Sequence, residues 1–350
     1  MLINGNWTEA PEGALFDVIN PANGDVVGQV PDGNAASARS AIEAAAAAFG
    51  SWSKTTAHAR SAILYKAWQL MLERKEDLAR TMTLEQGKPL RAATTEVQYA
   101  ADFLLWFAEE AKRSYGETIP SARADQRFIV SHYPVGVVAA ITPWNYPVSM
   151  ITRKVGPALA AGCTVVLKPA EATPLCAIKV FEILTEAGLP DGVINLVTTS
   201  NPAPVGEEFV SNPLVRKLTF TGSTAVGKML AGKAAGNMKR VSCELGGHAP
   251  FLVFDDADPV HAAKGVQLVK FLNTGQACIS PNRIFVHQSK VDAFVDTLQS
   301  RVANMKAGSG MEDGVTIGPL VDERAVAKVS AQVDDAVAKG AEVVCGGNRW

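Results

Sequence analysis

Helical spacing of apolar positions dominates the first third of the chain. An alanine-rich run predicts a helix over residues 35–50, because alanine has the highest helix propensity. Apolar residues at helical intervals, with charged residues between them, predict a second helix over 57–80. A third helix is predicted over 92–113, where we interpret the aromatic residues as core packing.

From residue 115 the pattern changes to short apolar runs. Turn residues and short β-type pieces predict a hairpin over 116–134. Beyond it, apolar runs of strand length alternate with helical patterns, which is typical of parallel strands joined by right-handed crossovers. The predicted strands cover 135–141, 164–167, 194–197 and 217–220, and the predicted helices cover 149–161, 174–187 and 225–235.

A second alternation of strands and helices begins near residue 250. Its predicted strands cover 251–254, 283–287 and 342–344, and its predicted helices cover 259–272, 291–305 and 323–339. Because both sets alternate in the same way, the sequence predicts an α/β protein with more than one domain.

Composition narrows the class of protein. The chain has 350 residues, of which 47% are hydrophobic and 19% are charged, so it can bury more than one core. A formal net charge of −2 argues against a nucleic-acid-binding surface. The N-terminus has no early basic region, and the apolar runs are too short to cross a bilayer. We therefore expect a cytoplasmic protein with no nucleic-acid or membrane partner.

The five cysteines include no C-x-x-C pair, which disfavours a disulfide framework or a zinc site. We predict no metal site and a reducing compartment. Cys163, Cys176 and Cys243 fit inert core residues. Cys278 follows a Gly-Gln pair beyond a predicted helix and has polar neighbours, which is the setting that a reactive cysteine requires.

A glycine-rich turn joins a predicted strand to a predicted helix at residues 220–228. Its sequence, Phe-Thr-Gly-Ser-Thr-Ala-Val-Gly-Lys, can bring backbone N–H groups close to a phosphate at a helix N-terminus. It nearly matches a P-loop, but Met229 stands where that motif needs a hydroxyl for magnesium. Phosphate binding and an ordinary structural turn are both open for this segment.

Three further polar segments follow predicted strands. Thr142-Pro-Trp-Asn-Tyr-Pro places Asn145 where its amide could donate to an oxyanion. Lys168 and Glu171 follow the next strand, at the edge where open α/β sheets bind ligands. Glu244 precedes two glycines, and it is either a general base in a cleft or the solvated end of a strand.

Together, five segments resemble the aldehyde dehydrogenase superfamily. In chain order they are Pro143-Trp-Asn, Lys168-Pro-Ala-Glu, Phe220-Thr-Gly-Ser-Thr, Glu244-Leu-Gly-Gly and Gly275-Gln-Ala-Cys. The resemblance runs from Ile3 to the last residue. Segments such as Ile151-Thr-Arg-Lys and Thr316-Ile-Gly-Pro are similar to the succinate-semialdehyde branch of that superfamily.

The resemblance implies an aldehyde dehydrogenase-like fold. Its Rossmann-type, parallel-sheet NAD-binding domain would cover residues 1–114 and 133–246. An oligomerisation hairpin would cover 115–132, and an incomplete α/β catalytic domain would cover 247–350. The resemblance also implies a homodimer or a homotetramer.

The implied activity is the oxidation of an aldehyde, such as succinate semialdehyde, to its carboxylic acid with NAD(P)+. The thiolate of Cys278 would attack the carbonyl, while Asn145 and the Cys278 backbone N–H would hold the oxyanion. Hydride transfer to the nicotinamide would leave a thioester, which a water molecule activated by Glu244 would hydrolyse.

The resemblance also implies the binding residues. Arg153 matches a residue that binds the distal carboxylate of the substrate. Because Glu171 can accept hydrogen bonds from ribose hydroxyls and would repel a 2′-phosphate, we predict NAD over NADP, with NADP possible. The implied cofactor contacts are Thr142, Pro143, Trp144, Asn145, Lys168, Glu171, Gly222, Ser223, Gly227 and Leu245.

Three features depart from the family pattern. Leu272 stands where succinate-semialdehyde enzymes commonly have a second substrate arginine, so a less acidic or differently shaped aldehyde is an alternative substrate. Ser280 stands where many relatives have a second cysteine, so we predict no disulfide switch within this loop. The chain ends before the family's Glu-x-Phe-Gly-Pro segment, which binds the nicotinamide ribose, so we expect a fragment.

Two other functions compete with aldehyde oxidation. One is a truncated, non-catalytic homologue that only binds nucleotide or a full-length partner. The other is an acylating dehydrogenase that forms a CoA thioester, which Glu244 disfavours because the resemblance places it to activate water.

Overall fold

The computed structural model describes residues 1–349. They form two compact units. The first comprises Met1–Val18, Gly28–Leu78 and Thr94–Glu244, and the second comprises Ile19–Val27, Ala79–Ala93 and the residues from Leu245 onward.

Strands and helices alternate over much of residues 137–303, and no described helix is both long and apolar enough to cross a bilayer. The strands are β1 (Leu2–Ile3), β2 (Asn6–Trp7), β3 (Leu15–Ile19), β4 (Val26–Pro31), β5 (Glu117–Pro120), β6 (Arg127–Val130), β7 (Val137–Ile141), β8 (Thr164–Lys168), β9 (Ile194–Leu196), β10 (Val215–Gly222), β11 (Arg240–Leu245), β12 (Phe251–Val253) and β13 (Ile284–Val286). The helices are α1 (Ala35–Trp52), α2 (Ala57–Glu73), α3 (Lys75–Gln86), α4 (Leu90–Ala111), α5 (Ser149–Ala160), α6 (Pro174–Glu186), α7 (Pro202–Ser211), α8 (Thr224–Ala235), α9 (Pro259–Lys270), α10 (Val291–Ala303) and α11 (Glu323–Ala338).

A seven-stranded sheet forms the centre of the first unit, in the order β11-β10-β7-β8-β9-β1-β2. The run from β10 to β9 is parallel, whereas β1 pairs antiparallel with β9 and with β2. Every residue of β7 and β8 is buried, as expected for central strands of a parallel sheet. Ile141 lies opposite Lys168, so these two strands end side by side. The sheet confirms the predicted α/β fold.

Helix α1 begins where the sequence predicts because Asn34 caps it. The Asn34 side chain accepts hydrogen bonds from the backbone N–H groups of Ala36 and Ser37. The Ser37 hydroxyl in turn accepts from the backbone N–H of Asn34 at 3.3 Å. This reciprocal capping pairs N–H groups that the first turn of a helix would otherwise leave unpaired.

The single helix predicted over 57–80 is wrong, because the structure has two helices there. Arg74 has φ −101° and ψ 19°, outside the helical region, and it separates α2 from α3. Helix α3 continues to Gln86 and carries Glu76 and Asp77 in its first turn. Acidic side chains favour a helix N-terminus, so these two residues support a new start that the apolar pattern does not reveal.

The β12–β13 pair and the helices α9 and α10 form a small core in the second unit. The two strands are parallel, and one of their faces packs on the helices, where Val253, Val266 and Phe294 are buried. Leu252 and Phe285 are 57% and 54% exposed. Successive side chains of a strand point to opposite faces, so the other face of this pair is open.

The β5–β6 hairpin confirms the structure predicted over 116–134. Its strands are antiparallel, with Glu117 opposite Val130, and all their residues are exposed. Four of these residues are large and apolar, namely Ile119, Phe128, Ile129 and Val130. The role of this hairpin in oligomerisation stays a prediction.

The strand predicted over 342–344 is wrong. These residues are exposed and have no strand conformation, and within residues 1–349 no strand pairs with them. β-branched residues favour a strand, but a strand also needs a neighbour for its backbone hydrogen bonds. The sequence prediction also lacks the short pairs β1–β2 and β3–β4 and the helix α7.

Candidate active site

The loop after β7 lies at the edge of the sheet where its parallel strands end. Thr142 is buried, and its backbone N–H donates to the carbonyl of Lys168 at 3.2 Å. Pro143, Trp144 and Asn145 follow and are partly buried. The predicted ligand-binding loop therefore lies directly beside the end of β8, as expected for an open α/β sheet.

Glu96, on α4, anchors the end of this loop. It is 3% exposed, and its carboxylate accepts hydrogen bonds from the backbone N–H groups of Val148 (3.1 Å) and Ser149 (3.2 Å) and from the Ser149 hydroxyl (3.2 Å). Because α5 begins at Ser149, the carboxylate stabilises the positive end of that helix. The sequence analysis missed Glu96, although its position four residues before the buried Ala100 puts it on the same helix face.

Lys168 and Glu171 form an ion pair in the loop after β8. The Lys168 ammonium, 4% exposed as a side chain, donates to the Glu171 carboxylate, whose side chain is 40% exposed. Burial lowers the pKa of Lys168, and the Glu171 charge partly offsets that effect. A buried ammonium is costly without such a partner, so the two residues depend on one another.

The glycine-rich turn joins β10 to α8 as the sequence predicts. Ser223 caps α8 by accepting a hydrogen bond from the backbone N–H of Val226 at 3.4 Å. A Cβ atom at Gly222 would lie 2.6 Å from the Phe220 ring, so a larger residue would displace the turn. Gly227 is buried in the first turns of α8. A capped helix N-terminus with this close glycine backbone favours a phosphate group.

Two buried hydroxyls at the same edge test whether a nucleotide fits there. Thr221 Oγ1, in β10, and Thr173 Oγ1, just before α6, have no hydrogen-bond partner among residues 1–349. Buried hydroxyls in proteins almost always have a partner. The residues present therefore fit a polar ligand that lies along the ends of β8 and β10.

Helix α5 carries two adjacent cations in different settings. Lys154 is buried and donates to the Thr219 hydroxyl at 3.0 Å. Burial lowers the pKa of Lys154 to about 8, while the charge of Glu244 acts in the opposite direction. Arg153 is exposed, and its guanidinium lies 5.9 Å from the centre of the Phe103 ring. The sequence analysis missed the electrostatic link between Lys154 and Glu244.

Glu244 lies near the end of β11, as predicted. The strand alternates, with Ser242 and Glu244 exposed and with Cys243 and Leu245 partly buried. Its carboxylate is thus accessible to water, which a general base requires.

Cys278 lies in an irregular loop of the second unit, and its side chain is exposed. The preceding residues Asn273, Thr274 and Gly275 have φ values of 50°, 60° and 78°. This is the left-handed region, which residues other than glycine rarely adopt. The segment after β11 approaches the loop, because a Cβ atom at Gly247 would lie 3.8 Å from the Cys278 carbonyl oxygen.

Lys270, the last residue of α9, holds the part of this loop that follows Cys278. Its ammonium donates to the Ser280 hydroxyl at 3.1 Å and to the Asn282 side-chain oxygen at 2.7 Å. The Ser280 hydroxyl donates to the Lys270 carbonyl at 3.3 Å, and Ser280 is 1% exposed. Ser280 is therefore a buried structural residue. Leu272, at the start of the loop, is 37% exposed.

The predicted catalytic residues are divided between the units. Asn145 and Glu244 belong to the first unit and Cys278 to the second. In the described part of the chain, no group of three or more His, Cys, Asp or Glu residues is placed to hold a metal ion.

Known proteins resemble this chain over almost its whole length. It is 55% identical over 346 residues to the succinate-semialdehyde dehydrogenase (NADP+) of Escherichia coli strain K12, an overlap that covers 99% of this chain and 72% of that protein. It is 53% identical over 345 residues to the glutarate-semialdehyde dehydrogenase of Pseudomonas aeruginosa, with 99% and 71% covered. The crystal structure of an E. coli NADP-dependent enzyme matches the fold with a TM-score of 0.98 at 54% identity, with 100% of this chain and 72% of that one covered.

A family model matches the chain independently of these individual relatives. Residues 7–349 match the model of the aldehyde dehydrogenase family. The family that the motifs predicted is confirmed: the chain belongs to the aldehyde dehydrogenases, which are NAD(P)-dependent oxidoreductases.

Proposed function

We propose that Cys278 is the nucleophile in the oxidation of an aldehyde to its carboxylic acid, with Glu244 as general base and Asn145 as oxyanion donor. The observation that supports this most is the setting of Cys278. Its thiol is exposed, and hydrogen bonds hold the loop both before it, at Thr274, and after it, at Ser280. Cys163 and Cys176 are buried, as inert core cysteines are.

Each proposed step has a group in this chain to perform it. The Cys278 sulfur, as thiolate, forms a bond to the aldehyde carbon, and the carbonyl oxygen takes up the displaced electron pair. The Asn145 amide and the Cys278 backbone N–H donate hydrogen bonds to that oxygen. Bound NAD(P)+ supplies the hydride acceptor. Glu244 takes a proton from water, whose oxygen bonds to the acyl carbon of the thioester as the sulfur leaves.

The sheet edge of the first unit would hold the cofactor. Gly222, Ser223, Gly227 and the N-terminus of α8 suit the pyrophosphate. Lys168 and Glu171 suit the adenosine ribose. The loop over 142–145 and Leu245 would lie towards the nicotinamide.

We propose that NAD is preferred over NADP. The Glu171 carboxylate is partly exposed and can accept hydrogen bonds from ribose hydroxyls, whereas a 2′-phosphate would be repelled. The relative from E. coli is named for NADP, so the cofactor ratio is an informative measurement. A higher kcat/KM with NADP than with NAD would overturn this preference.

We propose a semialdehyde with a distal carboxylate, such as succinate semialdehyde, as the substrate. Both relatives described above are named for such semialdehydes. Arg153 is exposed on α5, the helix that follows the Asn145 loop, and can pair with a carboxylate. Leu272 offers no second cation, so we expect a weaker discrimination for the carboxylate than two arginines would give.

The decisive experiment follows the absorbance of the reduced cofactor with NAD+ and either succinate semialdehyde or butanal, which has the same chain length without the carboxylate. Cys278→Ser should lower the rate by at least about 10⁴-fold, as removal of a nucleophile does. Cys345→Ser, at an exposed cysteine in the coil after α11, is the matched control and should leave the rate unchanged. Arg153→Met should raise KM for succinate semialdehyde but not for butanal.

The same assay separates the competing functions. A chain that binds NAD+ in calorimetry but reduces none would fit the nucleotide-binding homologue. Cofactor reduction that requires added CoA would fit the acylating dehydrogenase. Full activity of Cys278→Ser would contradict the nucleophile assignment itself.

We further propose a homodimer or a homotetramer in the cytoplasm. The exposed apolar residues of the β5–β6 hairpin offer a surface of the kind that marks protein contacts. The described cysteines are all free, as is usual in a reducing compartment. Light scattering of the purified chain tests the assembly, and a monomer at all concentrations would contradict it.

A further inference from the structure

We propose that residues 317–321, which we call the strap, hold the Cys278 loop in its working geometry, and that Thr274 is the positioning residue through which they act. This inference rests on the proposed role of Cys278. Thr274 lies four residues before the nucleophile in the chain and is not assigned any contact with the substrate, the cofactor or the reacting atoms.

Two side chains of the loop are hydrogen-bonded to the strap backbone. The Thr274 hydroxyl accepts from the Gly318 N–H at 3.0 Å and donates to the Gly318 carbonyl at 3.2 Å. The Gln276 side chain accepts from the Val321 N–H at 3.0 Å and donates to the Pro319 carbonyl at 3.3 Å. Each side chain both donates and accepts, so the position of the loop along the strap is fixed in both directions.

The loop backbone needs such support. Asn273, Thr274 and Gly275 are left-handed in succession, and a β-branched residue such as Thr274 is a pronounced outlier there. Backbone of this kind persists only where its surroundings determine it. Without the strap, Thr274 would be expected to return to an ordinary φ and to move the residues up to Cys278.

The strap itself is held by a close approach of backbone to backbone. A Cβ atom at Gly318 would lie 2.2 Å from the Gly87 carbonyl oxygen, and one at Gly87 would lie 2.7 Å from the Pro319 ring. Just before the strap in the chain, Gly310 accepts a hydrogen bond from the Leu90 N–H at 2.9 Å. The strap therefore packs directly against Gly87, and a neighbouring hydrogen bond holds the chain that leads into it to the same distant segment.

The primary test compares Thr274→Val, which keeps the shape but loses the hydroxyl, with Thr274→Ser, which keeps the hydroxyl. Misplacement of a nucleophile costs up to about 100-fold in rate, so we expect kcat of Thr274→Val to fall at least about tenfold with little change in KM. Thr274→Ser should restore kcat to near the parent value. Circular dichroism confirms that each variant is folded at the assay temperature.

Thr316→Val is the matched control. The Thr316 hydroxyl makes the same kind of reciprocal pair, accepting from the Lys306 N–H at 3.1 Å and donating to the Lys306 carbonyl at 3.3 Å, but it lies outside the strap. It should leave kcat unchanged. An equal loss of kcat in Thr316→Val and Thr274→Val would overturn the proposal, because the effect would then be a general loss of stability.

A double-mutant cycle tests whether the effects of the loop and the strap on kcat are coupled. Gly318→Ala must push the strap away from Gly87, so it should lower kcat through the same contact as Thr274→Val. The double variant should then lose no more than the larger single loss. If the fold-loss of kcat in the double variant equals the product of the two single losses, the substitutions act independently and a shared mechanism is contradicted.

Amide hydrogen exchange tests the role of the strap without a measurement of enzyme activity. The peptide covering 271–280 should exchange at least about tenfold faster in Thr274→Val than in the parent chain, and not in Thr316→Val. Unchanged exchange would overturn the strap even if the parent chain oxidises aldehydes. Faster exchange in a chain whose Cys278→Ser variant keeps its activity would instead contradict the nucleophile assignment and leave the strap supported.

Discussion

The sheet edge of the first unit and the Cys278 loop of the second place their functional groups by different means. At the sheet edge, the loops begin where the wholly buried strands β7 and β8 end, so the sheet fixes their starting points. In the Cys278 loop, left-handed backbone is held by a few hydrogen bonds between side chains and backbone. Strained backbone that is held by a few hydrogen bonds is sensitive to the loss of any one of them.

This difference predicts where substitutions act. At the sheet edge, a substitution of Asn145 should remove the chemistry of that side chain while its neighbours keep their places. In the Cys278 loop, a substitution that removes no reacting group should still lower the rate.

The largest effect expected at the sheet edge comes from Asn145→Ala. Loss of one oxyanion donor costs about 10²–10³ in kcat, and we expect KM and the melting temperature to change little because the sheet positions the loop. Steady-state kinetics and a thermal melt measure both quantities. Asn304→Ala, at the exposed end of α10, is the control for the same chemical change. A large drop in melting temperature for Asn145→Ala would show that this loop, too, depends on single contacts.

Lys154→Met should change how stability depends on pH. Burial lowers the pKa of Lys154 from 10.5 to about 8. Between those values the unfolded chain binds a proton that the folded chain does not, so Lys154 adds stability as the pH rises through that window. Below pH 8 the full cost of the buried ammonium applies.

The measurement is the free energy of unfolding in denaturant at several pH values. The parent value minus the Lys154→Met value should rise by up to about 3 kcal/mol from pH 7 to pH 10.5. Lys66→Met, at an exposed lysine, should show no such rise, and a flat difference for Lys154 would contradict its burial as an ammonium.

The smallest effect is expected at Glu171. Glu171→Gln removes the charge that would repel a 2′-phosphate, so kcat/KM with NADP should rise relative to NAD by about tenfold, or 1.4 kcal/mol. Because Lys168 already balances the Glu171 charge, a larger change is not expected. Glu182→Gln, on the exposed side of α6, serves as control. An unchanged ratio would show that another group selects the cofactor.

The same contrast explains how much the sequence could predict. Buried strands such as β7 and β8 leave continuous apolar runs, so their ends, and with them Thr142 to Asn145, were located from the pattern. Cys278 was found from its motif rather than from periodicity. The left-handed turn at Asn273 and Thr274 has no signature in hydrophobicity, because its conformation depends on a strap some 40 residues later.

Other misses have equally physical causes. Glu96 was missed because its partners, Val148 and Ser149, lie about 50 residues away and only the fold brings them together. The break at Arg74 was missed because apolar periodicity continues across it. The strand over 342–344 was predicted from local propensity, which cannot supply a pairing neighbour.

The close approach of Gly318 to Gly87 has a consequence for how variation in this chain should be interpreted. Gly318 has no room for a side chain, and Gly87 has φ +90°, which other residues rarely adopt. In a saturation mutational scan, both positions should therefore score as intolerant, although no catalytic or binding role is assigned to either glycine. A low score at these positions would reflect the lack of room for a side chain and the left-handed backbone. A ranking by intolerance alone would therefore misclassify these two glycines as active-site residues.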